Sequence, residues 1–403
     1  MAFFLFADFL LIAMENTLKE KIADLLKLGS SEKVKNMVAF PFLLGNWLFV
    51  FPAGFALDRY SVRRVSLSAL FITLCAIFGA ALSTNPMLFR ACRFLSGAAH
   101  AFCFLACTTL VSRWFSPEKQ GFVMGLVIAI GLSGAMVAQG PFSNLVAATG
   151  IQQALFCVAG LVAVVLVIGL LTVHDYPSDV TPPSKSVCAI SVEKVKRVFA
   201  NKENWLFSFY TAFLNAFYAG FAIICLDGCL QGLHDFTKGD AKWLSTIFFF
   251  GYTVGGPLVG FVSEKWQSRK KPMIVGSLIT ILLLLVFTLA PLNYWAAAAV
   301  LFLLGISIIP QVLSYPSIIA SNPLSIASTS MSVASFIVMG SFLFFERSVK
   351  KIREIFPEHA DQYSLGFLIG FTCLSLVLAA FFLKETYGKG VAEEDATESA
   401  DKA

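Results

Sequence analysis

Five residues in one apolar stretch combine a cation, an imidazole and small side chains. Arg93, Gly97, His100, Phe104 and Cys107 follow one another at steps of three or four. Residues at this spacing share one face of a helix. Arg93 could bind the carboxylate of a solute or of an acidic partner, and His100 could exchange a proton near neutral pH. The alternatives are a structural ion pair or a snorkelling position for Arg93, and a hydrogen-bonded packing role for His100.

A carboxyl group that could couple to this stripe is Asp8, which lies inside the first apolar run. Asp227 and Glu346 lie near the ends of their apolar runs, where an interface or gate position is expected. Asp8 is therefore the candidate proton-binding partner of Arg93. A structural ion pair, or an interface position for Asp8, remains the alternative.

Neutral polar side chains occupy the second half of the chain. Asn215 and Tyr218 are three apart, and Gln311 and Tyr315 are four apart, so each pair shares a helix face. Pro310, with a second proline directly after Tyr315, interrupts the helix that carries the second pair and frees backbone carbonyls that need a polar environment. These four residues are candidate solute contacts. Hydrogen bonding between helices is the alternative for each of them.

Motifs for enzymatic chemistry are missing from the sequence. It contains no G-x-x-x-x-G-K-S/T loop for ATP, no nucleophile elbow and no His or Cys spacing typical of zinc. It also lacks a basic soluble domain with interleaved aromatic residues, which would indicate nucleic-acid binding. We therefore expect no enzyme activity, no metal, no cofactor and no nucleic-acid partner.

The composition indicates an integral membrane protein. Of 403 residues, 57% are hydrophobic and 14% are charged, with a mean hydropathy of +0.77. A soluble domain has about 45–50% apolar residues and about a quarter charged ones. Apolar runs of roughly 20 residues are long enough to cross a bilayer as helices. The predicted spans are 1–16, 37–57, 65–83, 88–112, 121–143, 151–173, 204–226, 242–262, 273–291, 294–319, 327–345 and 364–383.

These spans predict an all-α membrane protein with 12 transmembrane helices in two pseudo-symmetric six-helix bundles. The bundles would be residues 1–173 and 204–387, joined by a cytoplasmic linker, 174–203, and followed by a disordered tail, 388–403. The first span is short. Either its helix emerges directly from the membrane, or the sequence lacks part of a longer natural N-terminus, so that the first helix is truncated.

Basic residues in short loops predict the orientation. Arg59, Arg63 and Arg64 follow the second span, and further Lys and Arg residues follow the fourth and eighth spans. All of these loops lie on one face if every span is real, and the positive-inside rule makes that face cytoplasmic. We expect both termini to be cytoplasmic as well, in the inner (plasma) membrane of a bacterial cell.

The two halves share a loop pattern, which indicates an internal duplication. A glycine, an acid, a base and a basic pair recur at the same offsets after the second span of each half. Repeated halves are typical of secondary transporters. The two sets are Gly54, Asp58, Arg59, Arg63 and Arg64, and Gly260, Glu264, Lys265, Arg269 and Lys270.

Over essentially its whole length the chain resembles the major facilitator superfamily (MFS). Gly54–Arg64 matches the loop signature of that family apart from Ser61, where glycine is usual. Arg93–Gly97 is similar to its fourth-helix pattern, and Arg113–Gly121 to the passage from its fourth to its fifth helix. The resemblance implies that the signature loops gate the cytoplasmic side, with Asp58 pairing with arginines. A solvated, topogenic basic loop is the alternative. The implied gate residues are Gly54, Asp58, Arg59, Arg63, Arg64, Glu264 and Arg269.

The predicted function is secondary active transport of a small polar, carboxylate-bearing solute, an amino acid or organic acid, by alternating access coupled to protons. The stretch from Tyr315 to Pro323 is similar to bacterial metabolite and amino-acid carriers. A facilitator for a sugar or other metabolite, and a non-transporting membrane sensor, are the alternatives. The expected partners are the solute, the lipid bilayer and protons, and the expected state is a monomer.

Overall fold

A computed structural model describes residues 1–389 apart from 18, 27–37, 39, 140, 179–191, 220 and 222–224. The described residues form helices and connections without any strand. This confirms the predicted all-α class. Parts of the predicted linker (179–191) and tail (390–403), together with the side chain of Tyr218, lie outside the described residues.

The first half of the chain contains eight described helices. Helix α1 is the predicted first span, and α6 with α7 covers the predicted fifth span. The helices are α1 (Ala2–Thr17), α2 (Lys19–Leu25), α3 (Phe40–Arg59), α4 (Val62–Leu82), α5 (Pro86–Trp114), α6 (Pro117–Gln139), α7 (Pro141–Thr149) and α8 (Ile151–Thr172).

The second half contains nine described α-helices, with a 3-10 segment at Ile309–Leu313 and a π-helical end at Leu378–Phe382. Helix α16 extends to Ile355, beyond the predicted end of its span at 345, so the basic segment after that point is helical. The helices are α9 (Val192–Ala200), α10 (Lys202–Ala219), α11 (Leu226–Gly232), α12 (Lys238–Lys265), α13 (Lys270–Leu289), α14 (Tyr294–Ile308), α15 (Ser314–Ala320), α16 (Ala327–Ile355) and α17 (Ala360–Val377).

Ten helices of the described chain are long and apolar enough to cross a membrane. They correspond to ten of the twelve predicted spans. The other two are α1, whose apolar part is the shorter stretch Ala2–Ala13, and α10. The membrane-protein architecture follows from these continuous apolar runs, which satisfy their backbone hydrogen bonds within each helix.

The chain divides into two compact units. The first comprises Met1–Trp114 with Ile130–Val192, and the second comprises Phe115–Ala129 with Glu193–Ala403. The first part of α6 therefore belongs to the second unit, although the sequence places it in the first predicted bundle.

Within the first unit, α3 and α5 touch backbone to backbone. A Cβ atom on Gly97 would lie 2.0 Å from the carbonyl oxygen of Phe42, and one on Gly45 would lie 2.3 Å from that of Phe94. Small residues permit this approach between membrane helices. The crossing fixes the face of α5 that carries the sequence stripe.

Within the second unit, α12 and α14 make the same kind of crossing. A Cβ atom on Gly251 would lie 2.2 Å from the carbonyl oxygen of Phe302, and one on Gly305 would lie 2.3 Å from that of Phe248. The other face of α12 meets the first part of α6, where a Cβ atom on Gly125 would lie 2.0 Å from the oxygen of Gly256. Helix α12 is thereby held on two sides.

Candidate functional site

The first unit contains a buried acid–imidazole pair. Asp8 on α1 has no exposed surface, and its Oδ2 atom lies 3.0 Å from Nδ1 of His100 on α5. The ring of His100 packs against those of Phe9 and Phe42, with centroids 6.3 and 5.5 Å away. The pair therefore sits among aromatic side chains, where water cannot readily replace either partner.

Arg93 lies on the same face of α5 and is 3% exposed. Its guanidinium carbon is 4.8 Å from the centroid of the Phe42 ring, and its charge interacts with that of Asp8. Arg93 also borders a small cavity with Leu11 and Ser96. A cation is attracted to the face of an aromatic ring, and the planar fork of a guanidinium matches the geometry of a carboxylate.

Phe42 organises this face of α5, and sequence reasoning missed it. Arg93, Gly97 and His100 each contact Phe42, by a cation–π interaction, a backbone approach and a ring contact respectively. The 3–4 spacing predicted that these residues share a face. Nothing in the sequence distinguishes Phe42 from the many other phenylalanines of the apolar runs.

In the second unit, the 3-10 segment places Gln311 inside the protein. Its Nε2 atom donates to the hydroxyl of Tyr252 at 2.7 Å, and its side chain is almost fully buried. Its Oε1 atom has no hydrogen-bond partner within the described part of the chain, and neither has the buried hydroxyl of Ser314. A buried acceptor without a donor costs about 1–3 kcal/mol, so this position is suited to a donor group of a solute.

The other predicted polar contacts of the second unit are placed less closely together. Tyr315 is buried at the start of α15, one residue after Ser314, and Asn215 is half-buried on α10. The side chain of Tyr218 lies outside the described residues. Tyr252, which holds the amide of Gln311, lies in an ordinary aromatic position of an apolar run and gives no sequence signal.

The first signature loop joins α3 to α4. Gly54 and Asp58 are buried near the end of α3, whereas Arg59 and Arg64 are exposed. The hydroxyl of Ser61 accepts from the amide of Arg64 at 3.2 Å and caps α4. Serine at the position where the family usually has glycine therefore serves as an N-cap.

Arg63 in this loop is hydrogen-bonded to the end of α8 and to the segment that follows it. Its backbone amide donates to Oδ1 of Asp175 at 2.7 Å. Its guanidinium donates to the carbonyl oxygen of Leu170 at 2.5 Å. The loop is thus tied to the end of the sixth predicted span.

The second signature loop, between α12 and α13, contains a buried arginine. Arg269 is 2% exposed, and its guanidinium donates to the carbonyl oxygens of Pro117 and Pro316 at 2.6 and 2.8 Å. A longer contact of 3.4 Å reaches the hydroxyl of Thr386. Burial disfavours the charged form and lowers the pKa of Arg269 to about 10. Glu264, the acid of this copy, is exposed.

Glu385, which follows the last helix, organises the same loop. Its carboxylate accepts a hydrogen bond from the hydroxyl of Ser268. It also accepts from three backbone amides, those of Arg269 and Tyr387 at 2.9 Å and that of Lys270 at 3.3 Å. Burial raises the pKa of Glu385, but these hydrogen bonds outweigh burial and hold it below its usual value.

Each of the two loops is therefore bound by an acid that lies outside the repeated sequence pattern. Asp175 after α8 accepts from the amide of Arg63, and Glu385 after α17 accepts from the amide of Arg269. These two arginines hold the same place in the repeated pattern. The sequence does contain a signal for these acids, because an acid follows both the sixth and the twelfth predicted spans. The two acids were missed because they lie in segments interpreted as the linker and as the end of the last bundle.

Comparisons with known proteins agree with this architecture. A family model described as Major Facilitator Superfamily matches residues 1–345. A quinolone resistance transporter of Acinetobacter baumannii is 27% identical over 184 residues, or 44% of this chain. The matched part covers 39% of that relative's length.

Solved structures of FucP have the same fold. One, in the outward conformation, has a TM-score of 0.71 at 16% identity and covers 94% of this chain and 98% of its own. A variant of the E. coli fucose:proton symporter FucP has a TM-score of 0.71 at 15% identity, covering 94% of this chain and 97% of its own. These findings confirm the family predicted from the loop and helix motifs. The chain belongs to the Major Facilitator Superfamily and is a multi-pass membrane protein.

Proposed function

We propose that this transporter moves a small polar solute bearing a carboxylate, an amino acid or an organic acid, by alternating access coupled to protons. The observation that carries the proposal is the buried pair of Asp8 and His100 with Arg93 on the same face of α5. Ionisable groups inside a membrane are costly and mark solute or proton pathways. Transport by this mechanism requires no cofactor and no catalytic residue.

Asp8 is the proposed proton-coupling residue. A fully buried carboxylate is stable when it is paired or protonated, so its two forms favour different surroundings. His100, 3.0 Å away, supplies the partner for the charged form. Protonation of Asp8 would weaken that attraction and the interaction with Arg93, and this change is the proposed step that links proton binding to solute binding.

Arg93 is the proposed carboxylate-binding residue. Its fixed position over Phe42 restricts the guanidinium to few orientations, so less entropy is lost when a solute carboxylate binds. Arg90, one turn earlier on α5, is exposed and has no such setting. His100 is the second proposed solute contact on this helix.

In the second unit we propose Gln311 as the contact for a hydrogen-bond donor of the solute. Tyr252 holds its amide nitrogen, which leaves Oε1 as an acceptor for an ammonium or hydroxyl group. Asn215, Tyr218 and Tyr315 remain proposed contacts. A solute with both a carboxylate and a donor, such as an amino acid or a hydroxy acid, suits these two chemistries.

A sugar is the second candidate solute. Uncharged polar side chains such as Gln311 and Tyr252 are suited to hydroxyl groups, and the solved structures with this fold include a fucose:proton symporter. For a sugar, Arg93 would serve as a partner of Asp8 alone. The carboxylate proposal is preferred because the planar guanidinium of Arg93 matches a carboxylate in charge and geometry, whereas a sugar hydroxyl offers neither.

The two signature loops are the proposed gates on the cytoplasmic side. In the first loop, Arg63 is hydrogen-bonded to Asp175. The other proposed gate residues of this loop are Gly54, Asp58 and Arg59 before Arg63, and Arg64 after it. In the second copy the proposed gate residue is Arg269, which is held by carbonyl oxygens and by the hydrogen bonds of Glu385. Glu264 is exposed and cannot hold the loop in this way. Opening would require these hydrogen bonds to break together. The proposed arrangement puts both termini in the cytoplasm, with a monomer in the inner (plasma) membrane.

The experiment that tests the function is uptake into proteoliposomes with and without an inward proton gradient. The panel is radiolabelled amino acids, dicarboxylates and hexoses. We expect accumulation of a carboxylate-bearing compound that falls when a protonophore removes the gradient. Accumulation of hexoses alone would select the sugar alternative, and uptake unaffected by the gradient would remove proton coupling. Failure of every compound, in liposomes that retain folded protein, would favour a non-transporting role.

A further inference from the structure

Helix α9, between the two predicted bundles, has an amphipathic surface that gating and solute binding do not use. Its sequence, VEKVKRVFA, interleaves apolar and charged residues with the period of an amphipathic helix. Val198 is fully buried, whereas Phe199 is 41% exposed and Lys196 and Arg197 are exposed. The helix therefore has one edge against the protein and another, solvent-exposed edge that combines an aromatic ring with cations.

The exposed ring of Phe199 continues into an aromatic row on α10. The indole of Trp205 lies 6.2 Å from it and donates to the carbonyl oxygen of Phe199 at 2.8 Å. Phe209 follows at 6.3 Å from Trp205 and is 41% exposed. Tryptophan is enriched where a membrane helix meets the headgroup region. This row places the apolar edge of α9 at the level where acyl chains begin.

The charges beside this edge are mainly positive. Residues 192–203 contain Lys194, Lys196, Arg197 and Lys202 against Glu193 and Glu203, a net charge of 4 − 2 = +2. Glu203 is buried and pairs with Lys384 at 3.2 Å. The pair of Glu193 with Arg197, at 3.7 Å, is exposed and therefore weak.

We propose that α9 lies in the membrane interface and binds the headgroups of anionic phospholipids. An amphipathic helix with cations on its polar face and an aromatic side chain on the other binds at that depth. Clustered Lys and Arg residues beside a membrane helix attract anionic lipids. Phe199 enters the acyl region, and Lys196, Arg197 and Lys202 contact the phosphates.

Lipid bound here stabilises more than α9, because a buried amide cluster fastens the end of the helix. Asn201 donates to the carbonyl oxygen of Ser321 at 2.8 Å, and Asn322 donates to Asn204 at 2.6 Å. Asn204 in turn donates to the carbonyl oxygen of Val198. Lipid occupancy therefore also holds the turn after α15, near the interrupted helix that carries Gln311.

Hydrogen–deuterium exchange of the full-length protein in nanodiscs tests the proposal. Discs contain phosphatidylcholine alone or with 30% phosphatidylglycerol, and the reporter is the peptide that covers residues 192–205. We expect exchange at least fivefold slower in the anionic discs, with little change in α11. The triple variant Lys196→Gln, Arg197→Gln and Lys202→Gln should lose this protection. The matched control, Lys242→Gln, Lys350→Gln and Lys351→Gln, removes the same charge from exposed sites on α12 and α16 and should keep it.

Three results would overturn the proposal. One is equal exchange of wild-type protein in both kinds of disc, which decides the matter even if the triple variant fails to fold. Another is equal protection by soluble glycerol phosphate in neutral discs, which would indicate a free-phosphate site. The third is protection that appears only when two copies share a disc, which would indicate a protein interface. None of these results depends on transport activity.

Discussion

The Nδ1 atom of His100 lies 3.0 Å from a carboxylate oxygen of Asp8, and neither residue has substantial contact with solvent. This contact joins α1 to α5, two helices far apart in sequence. Because burying a charge costs free energy that pairing only partly repays, the contact is poor evidence for stability alone. Its position beside Arg93 makes it the centre of the proposed coupling between proton and solute.

Replacing Arg93 by glutamine should impair uptake of a carboxylate-bearing solute. The neutral amide cannot form the bidentate, charge-assisted pair, so KM should rise at least tenfold. Arg90→Gln removes the same charge from an exposed position one turn away and should leave KM within twofold. Uptake kinetics in proteoliposomes measure both. Equal kinetics of Arg93→Gln and wild type, with both monodisperse, would exclude Arg93 as the carboxylate site.

Glu385→Gln should lower thermal stability in a pH-dependent way. The folded pKa of Glu385 lies below its usual 4.5, so the unfolded chain takes up the proton more readily and the carboxylate stabilises the fold above that pH. The Tm difference from wild type should be constant near neutral pH and shrink as pH falls below 4.5.

Melting curves in detergent from pH 3.5 to 7.5 measure this difference. Glu264→Gln, which changes an exposed acid of the same loop, is the control and should match wild type throughout. A Glu385→Gln variant as stable as wild type at pH 7 would show that the carboxylate does not hold the loop.

Gly97→Ala should destabilise the first unit. The added Cβ atom would lie 2.0 Å from the carbonyl oxygen of Phe42, so α3 and α5 would have to separate, at a cost of about 1–3 kcal/mol. Gly366→Ala on α17 meets nothing within 4 Å and should be neutral or stabilising by up to about 1 kcal/mol, because alanine favours the helix. Thermal unfolding of both variants checks this contrast. A Gly97→Ala protein that unfolds at the wild-type temperature would contradict the close crossing.

The sequence predicted the helices well, because a membrane span must be a continuous apolar run. It also predicted that Arg93, Gly97 and His100 share a face, since helical spacing is local. The contact partners of these residues and of Gln311 could not be predicted, because Phe42 and Tyr252 are aromatic residues among many and only tertiary packing distinguishes them. The acid that binds the second loop could not be predicted from the motif either. The acid of the motif, Glu264, is exposed, whereas Glu385, outside the motif, makes the hydrogen bonds.

The most direct test of the central claim is solute-driven proton movement in proteoliposomes that contain a pH-sensitive dye. With a solute from the uptake panel, wild-type protein should acidify the lumen as solute enters. Asp8→Asn should abolish acidification while retaining exchange of labelled for unlabelled solute. Asp24→Asn, which alters an exposed acid on α2, should behave as wild type. Acidification by Asp8→Asn at the wild-type rate would contradict the assignment of proton coupling to the buried pair.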